Sequence, residues 1–342
     1  MTAGKTAVLL LNVGSPDKPK LWQVWKYLTQ FLNDKRVIDL PWPLRTFLVN
    51  FIIIPFRIFR STQLYKRLWT DKGSPLIIHS EDMAEKLEAS LGETFKVFAT
   101  MRYGNPGYKK ALRKIEAGGY KKLFIMPLFP QYAMSTSETA VEAVKKEVRK
   151  RKMDIQMIIK NQFYDHPLFI KALGAQINKY NPSSYDHIIF SYHGLPDRHL
   201  EKRHPGISPN ACQCDKYLPV HGSYCYRATC YATSRLLAKN TNLGKEDYTV
   251  AFQSRLSKNW MTPFTDDILQ ESLKKGYKRI LVAAPSFVTD CLETLIEIGE
   301  DYKNFFEERG GEKLQLVESL NSGKLWIETL ASIIRESLQI NE

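Results

Sequence analysis

The string Ser191-Tyr192-His193-Gly194-Leu195-Pro196 follows the apolar run Ile188-Ile189-Phe190. A buried strand is therefore expected to stop abruptly and to deliver one imidazole to its carboxyl end. Open α/β sheets gather their ligands at that edge. Arg102-Tyr103, Gln253-Ser254-Arg255 and Glu293 each lie just beyond another strand-like run, so the device recurs. Imidazole accepts a proton near neutral pH, and a carboxylate beside it adds an oxygen ligand suited to a borderline-hard divalent metal. His193 with Glu293 thus suits proton removal coupled to the handling of a divalent metal. A lone histidine at a strand end is more often a hydrogen-bonded structural residue, and the acidic motif around Glu293 is what tips the reading toward chemistry.

Glu293, Glu297 and Glu300 stand at i, i+4 and i+7, one face of an α-helix. They read either as a solvated acidic stripe or as a relay for metal or protons. Cys291, just before them, is expected to be a packed thiol. The other four of the five cysteines form Cys212-x-Cys214-x10-Cys225-x4-Cys230. Four thiolates in so short a segment suit an iron–sulfur cluster or zinc, with plain thiols as the third reading; a C-x-C start is less usual for zinc.

The elements that must carry these residues are legible from hydrophobic period. Strand-like runs fall at Ala7–Leu11, Lys96–Thr100, Leu123–Met126 and Ile155–Ile159, then at Ile188–Phe190, Thr249–Phe252, Ile280–Ala284 and Leu314–Val317. Helical patterns lie between them, among them Met83–Leu91, Tyr108–Ala117, Glu138–Arg149 and Leu168–Asn178. Alternation at this spacing predicts parallel sheets with helices on both faces. An internal echo supports two copies of one unit: Gly119-Tyr120-Lys121-Lys122-Leu123-Phe124-Ile125-Met126-Pro127 against Gly276-Tyr277-Lys278-Arg279-Ile280-Leu281-Val282-Ala283-Ala284-Pro285. Each copy is followed by a Glu-Thr pair, Glu138-Thr139 and Glu293-Thr294. The expectation is an α/β protein of two Rossmann-like domains, 1–163 and 164–322, with a cleft between them. A last helix over 323–340 is expected to pack back on the first domain.

A formal net charge of +13 over 342 residues favours an anionic partner. Much of it sits in Lys145-Lys146 and Arg149-Lys150-Arg151-Lys152, the solvated end of an amphipathic helix. No nucleic-acid motif accompanies the charge, so no nucleic acid is expected as a partner. Neither GxGxxG nor GxxxxGK[ST] follows Gly14-Ser15, and no nucleotide is expected. The run Ala7–Leu11 is too short for an export signal, which points to a cytoplasmic chain without structural disulfides. Phe47 to Phe56, FLVNFIIIPF, is broken by Asn50 and Pro55 and falls short of the ~20 residues of a spanning helix. Flanked by Arg45, Arg57 and Arg60, it reads as a core helix or as an amphipathic lip, resting on a bilayer or closing over an apolar ligand.

LLLNVGSP near the start, GSPL at Gly73–Leu76, MRYG at Met101–Gly104, PQYAMST at Pro130–Thr136, SYHGLP, FQSR and SFVTDCLETLIEIGEDY occur in order along nearly the whole chain. This pattern resembles ferrochelatase, the family that inserts Fe²⁺ into protoporphyrin IX as the last step of haem synthesis. The resemblance implies that His193 and Glu293 are the catalytic pair that handles the substrate iron, with Glu297 as a relay. It implies porphyrin contacts at Arg102, Tyr103, Phe129, Tyr132, Gln253, Ser254, Trp260 and Phe287. A lip over about 41–75 would meet the macrocycle's acidic edge through Arg57, Arg60, Tyr65 and Ser74. Val13 favours protoporphyrin, because coproporphyrin-metallating relatives look like MAYGTP where this chain has LNVGSP. Peripheral contact with the inner face of the cytoplasmic membrane is a further implied partner.

Animal members hold a [2Fe–2S] centre with one cysteine in the PQY motif and three in a C-terminal extension. Here Met134 stands at the first site and the four thiols are internal, as in some bacterial relatives. The expected cofactor is a [2Fe–2S] cluster on Cys212, Cys214, Cys225 and Cys230. Two rival functions remain: a chelatase for another metal or tetrapyrrole, such as cobalt or coproporphyrin III, and a non-catalytic porphyrin carrier. The first would be expected to place a second histidine near Cys291; the second has no use for the His193–Glu293 pair.

Overall fold

The computed structural model describes residues 5–204, 206–207 and 212–339. The expected chain start at 1–4 and helix end at 340 lie outside the described residues. Among the described residues eight strands form: β1 (Thr6–Ser15), β2 (Phe95–Gly104), β3 (Lys122–Pro127), β4 (Gln156–Ile159), β5 (His187–His193), β6 (Tyr248–Gln253), β7 (Arg279–Ala283) and β8 (Lys313–Leu316). They make two four-stranded sheets, ordered β2-β1-β3-β4 and β6-β5-β7-β8, with every pairing parallel. Strands buried on both faces are near-continuous apolar runs, as in Ala7–Leu11 and Ile188–Phe190.

One compact unit runs through Phe129, then Met134–Gln162, and resumes from Asn321; the other is Pro130–Ala133 with Phe163–Leu320. In the first unit, Leu9, Leu11 and Ile125 of the sheet pack on Leu112 and Ile115 of helix Tyr108–Ala117 and on Val141 and Val144 of helix Thr139–Arg151. In the second, Ile189, Ile280 and Val282 pack on Leu269, Ile298 and Phe306. The final helix, Lys324–Leu338, lies in the first unit against helix Pro75–Leu91, where Arg335 donates to the Ser90 carbonyl at 2.9 Å.

Two expectations from the sequence are corrected. The lip is not broken at Asn50 and Pro55. Trp42–Phe47, a π segment Leu48–Ile53 and Ile54–Leu68 follow without a break. Trp42–Leu68 is thereby long and apolar enough, by length and composition, to cross a membrane. Asn50 is absorbed by side-chain bonds, donating to the Thr46 carbonyl at 2.9 Å and accepting from Asn33 at 3.1 Å. Pro55 falls in the first turn after the wider π segment, where its missing N–H is tolerated.

The second correction concerns the acidic stripe. Glu293–Tyr302 winds as a π-helix, not an α-helix. Its i→i+5 pattern keeps Glu293 near Glu297 and brings Glu297 near Tyr302, but turns Glu300 off that face. Glu300 is exposed.

Candidate active site

β5 ends at His193, and the chain turns at once through Gly194. The glycine is required there, because a Cβ would meet the Trp260 ring at 2.6 Å. The Gly194 N–H bonds the Gln253 carbonyl at 2.8 Å, which ties the end of β5 to the end of β6. His193 is partly exposed, and its Nδ1 lies 2.6 Å from the Gly194 carbonyl. A carbonyl only accepts, so Nδ1 carries the proton and the Nε2 lone pair of neutral His193 is left for chemistry. The Phe287 ring lies 6.5 Å from the imidazole, centroid to centroid.

Glu293 opens the π-helix. Its start is anchored by Thr294, whose hydroxyl donates to buried Asp290 at 3.0 Å, while the Asp290 carboxylate also receives the Ser319 N–H at 3.3 Å. One turn on, Glu297 is held by neutral donors alone: Ser254 N–H at 2.8 Å, Ser254 hydroxyl at 2.5 Å, Gln253 amide at 3.1 Å and Tyr302 hydroxyl at 3.2 Å. Burial pushes the Glu297 carboxyl above the usual carboxylate range, with Glu293 adding to the rise while Ser254 and His193 oppose it. Ser254 reaches Glu297 with both its N–H and its side chain from a left-handed backbone, φ +63°. Such strain in a residue other than glycine clusters at functional sites.

Gln253 is 1% exposed and sits beneath these groups. Its amide nitrogen serves both the Glu293 carbonyl and the Glu297 carboxylate at 3.1 Å, and its oxygen accepts from Ser191 at 2.8 Å. It is thus a buried support of the Glu297 carboxylate and of the start of the π-helix. Trp260 crosses Gly194, and its buried indole N–H has no hydrogen-bond partner. Sequence reasoning missed Tyr302; its five-residue spacing from Glu297 is a signal only if a π-helix is anticipated.

The remaining predicted porphyrin contacts divide among other places. Arg102 and Tyr103, at the end of β2, both turn onto Asp34: Arg102 Nη2 at 2.5 Å and the Tyr103 hydroxyl at 3.0 Å. Tyr103 is 2% exposed. Burial draws the Asp34 carboxyl up, but the Thr139 hydroxyl, the Arg36 N–H and the Arg102 charge outweigh it and leave it below the ordinary value. Arg57 and Arg60 are exposed on Ile54–Leu68, whereas Tyr65 of that helix is buried edge-on to Tyr27, centroids 6.0 Å apart. Ser74 is buried at the start of Pro75–Leu91, Val13 is partly exposed on β1, and Phe129 is half-buried. Tyr132 is covered by Arg203, whose guanidinium donates to its hydroxyl at 2.7 Å, and by the Tyr224 ring.

The cysteines gather elsewhere in the second unit. Cys212, Cys214, Cys225 and Cys230 are all buried, and none is in a disulfide. Burial pushes the Cys214 thiol up to about 12, with Cys212 and Cys225 adding to the rise against the Arg227 charge. Cys230, wholly buried, is driven well up by burial, and Cys225 and Cys214 raise it further. Arg227 donates to Cys214 Sγ at 3.1 Å, and His204 Nε2 lies 2.6 Å from Cys225 Sγ. Cys291 stands apart, buried beside the π-helix and raised by burial and by Glu293.

With this geometry in hand, comparison with known proteins is decisive. A family model described as Ferrochelatase matches residues 5–338. The chain belongs to the ferrochelatase family. A ferrochelatase of Coxiella burnetii (strain Dugway 5J108-111) is 42% identical over 341 residues, covering 98% of this chain and 95% of its own length. A ferrochelatase of Legionella pneumophila (strain Paris) is 41% identical over 338 residues, covering 98% and 100%. Among solved structures, SirB from Bacillus subtilis with Fe³⁺ has a TM-score of 0.55 at 10% identity, covering 97% of this chain and 95% of its own. The sirohydrochlorin chelatase SirB from Bacillus subtilis subspecies spizizenii in complex with cobalt gives the same TM-score at 9% identity, covering 98% and 96%. At that identity the likeness concerns the fold, two parallel sheets flanked by helices. A ferrochelatase is a lyase-type metal chelatase acting in haem synthesis, with iron as the substrate metal.

Proposed function

We propose that this ferrochelatase-family chain inserts Fe²⁺ into protoporphyrin IX to form protohaem, with His193 as the proton acceptor and Glu293 as the carboxylate that receives the iron. The observation that carries the reading is the commitment of His193 Nδ1 to the Gly194 carbonyl. It orients the ring and leaves the Nε2 lone pair as the proton acceptor. Insertion exchanges one Fe²⁺ for two pyrrole protons. His193 takes up each proton in turn and returns to its neutral form by passing it on. Glu297, raised by burial, is suited to accept protons from His193 and release them. Trp260 and Phe287 supply apolar wall beside the imidazole, and Arg57 and Arg60 are exposed cations for propionates. Val13 offers no hydroxyl to a coproporphyrin.

The test is anaerobic turnover followed by the porphyrin absorbance. Protoporphyrin IX with Fe²⁺ is converted catalytically, and coproporphyrin III has a much lower specificity constant. Equal constants for the two porphyrins overturn the substrate reading. Conversion limited to one porphyrin per chain would make the protein a carrier.

Two finer readings belong to the same proposal. Trp42, Phe47, Phe51, Phe56 and Phe59 are exposed on the lip with Arg57 and Arg60. That composition favours a chain in the cytoplasm whose lip rests on the inner face of the membrane. Co-sedimentation with anionic vesicles, lost when Phe51 and Phe56 are changed to Ser, checks it. The four buried cysteines, none in a disulfide, fit a [2Fe–2S] cluster on Cys212, Cys214, Cys225 and Cys230, for which thiolates are the natural ligands. When bound, the cluster supplies an electron-transfer centre and a cross-link for the loop; no step of insertion requires it. Substitution of any one of these cysteines by serine should bleach the visible absorbance and lower the folded yield.

A further inference from the structure

The cysteine segment contains more ligands than a four-thiolate cluster requires. His204, Cys212 and His221 present ligand atoms that all lie within 4.8 Å of one another. Cys225 adjoins this group at His204, its Sγ 2.6 Å from Nε2. His204 is 4% exposed, and its Nδ1 has no hydrogen-bond partner. A buried imidazole with one nitrogen on a thiol and the other on nothing is left unexplained by packing, since buried polar atoms are normally satisfied. Its ring meets the His221 ring edge-on, centroids 5.0 Å apart.

We propose that His204, His221, Cys212 and Cys225 form a second ligand set, overlapping the four-cysteine set, that holds one borderline divalent cation such as Zn²⁺ or Co²⁺. This deepens the reading of the segment as a metal centre and does not require the cluster itself. Tetrahedral N and S ligands at about 2.0–2.3 Å from an ion stand roughly 3.3–3.8 Å from one another. His204, Cys212 and His221 lie within 4.8 Å of one another, so rotation of these side chains, with Cys225 drawing back from its 2.6 Å contact with His204, brings four atoms around one ion. Charge selects between the sets. A divalent ion on four thiolates leaves a net charge of −2 in a buried segment, of which Arg227 offsets one unit. Two thiolates and two imidazoles leave the site neutral, which burial favours. The mixed set thus gives the segment a way to stay cross-linked by a single ion when the cluster is absent.

Cys214→Ser separates the two sets, because it removes a cluster ligand and leaves all four members of the mixed set. We expect the anaerobically purified variant to lack the visible absorbance of a cluster yet bind one Co²⁺, with the intense d–d bands of a tetrahedral site. Adding His204→Ala or His221→Ala to that background should weaken Co²⁺ binding at least tenfold. Binding that neither histidine substitution alters, or no binding by the folded variant, overturns the proposal. If Cys214→Ser fails to fold, Co²⁺ is titrated into chelator-stripped wild type, where thiolate-to-cobalt absorbance scales with the number of sulfurs bound. Two sulfurs support the mixed set and four overturn it. A colourless wild type purified without oxygen would sink the cluster reading and leave this test in force.

Discussion

β1 and β5 hold the same place in their sheets, as do β2 and β6, so the two units present equivalent strand ends. In the first, Arg102 and Tyr103 at the end of β2 fold onto Asp34, and Arg36 pairs with Glu138 at 2.9 Å. In the second, Gln253 and Ser254 at the end of β6 reach Glu297 with neutral donors only. The Glu-Thr pairs follow the same divergence. Thr139 donates to Asp34 at 2.6 Å and Thr294 to Asp290, but Glu138 is paired with a cation, while Glu293 begins the π-helix. A carboxylate neutralised by arginine contributes to structure. One buried among hydroxyl and amide groups is drawn toward its protonated form instead. The same scaffold therefore yields a polar network neutralised by arginine in one unit and a network of neutral donors around a carboxylate in the other.

The comparison breaks most sharply at His193. His193→Ala should lower iron insertion by about 10²–10⁴-fold with the fold retained, because a positioned base contributes that much. Turnover above a tenth of wild type, with an unchanged circular dichroism spectrum, would remove the base from the second unit. Glu293→Gln keeps the size of the side chain and removes its charge, and we expect a loss of about a hundredfold. Undiminished turnover at saturating Fe²⁺ would reduce Glu293 to a helix-start residue.

Asp34→Asn probes the other half. It leaves Arg102 without its carboxylate, at a cost of about 2 kcal/mol given the pair's partial exposure. The denaturation midpoint should fall while kcat of the folded fraction changes no more than about threefold. A kcat loss matching that of Glu293→Gln would show that the two networks are not different in kind. The smallest effect is expected for Ser254→Ala. Ser254 holds the Glu297 carboxyl down against burial, so its removal raises that group further. The acid limb of kcat/KM should move to higher pH, with a loss of about three- to tenfold near neutrality. A limb that stays in place would mean that Glu297 does not govern it.

Much of the fold was legible because buried parallel strands are short apolar runs bounded by turn residues. All eight expected strands form, and helix Tyr108–Ala117 has the expected bounds. Period was misleading where the backbone left the α pattern. Glu300 was grouped with Glu293 and Glu297 on an α-helical face, and Asn50 with Pro55 was taken as a break. Both segments contain π turns, which depend on which backbone groups the surroundings satisfy and leave no clear periodic mark.

By itself, the sequence determined the strand ends, the position of one imidazole and one acidic motif beyond them, and a segment rich in thiols. These follow from local hydrophobicity, turn chemistry and residue type. Only the tertiary structure decided what each polar group meets. Asp34 has no motif, yet it gathers Arg102, Tyr103 and Thr139; Gln253 becomes a buried support beneath Glu297; His204 and His221 join the cysteines. Those partners lie far apart in sequence, and hydrogen bonds and ion pairs depend on distance and burial, which no local pattern encodes.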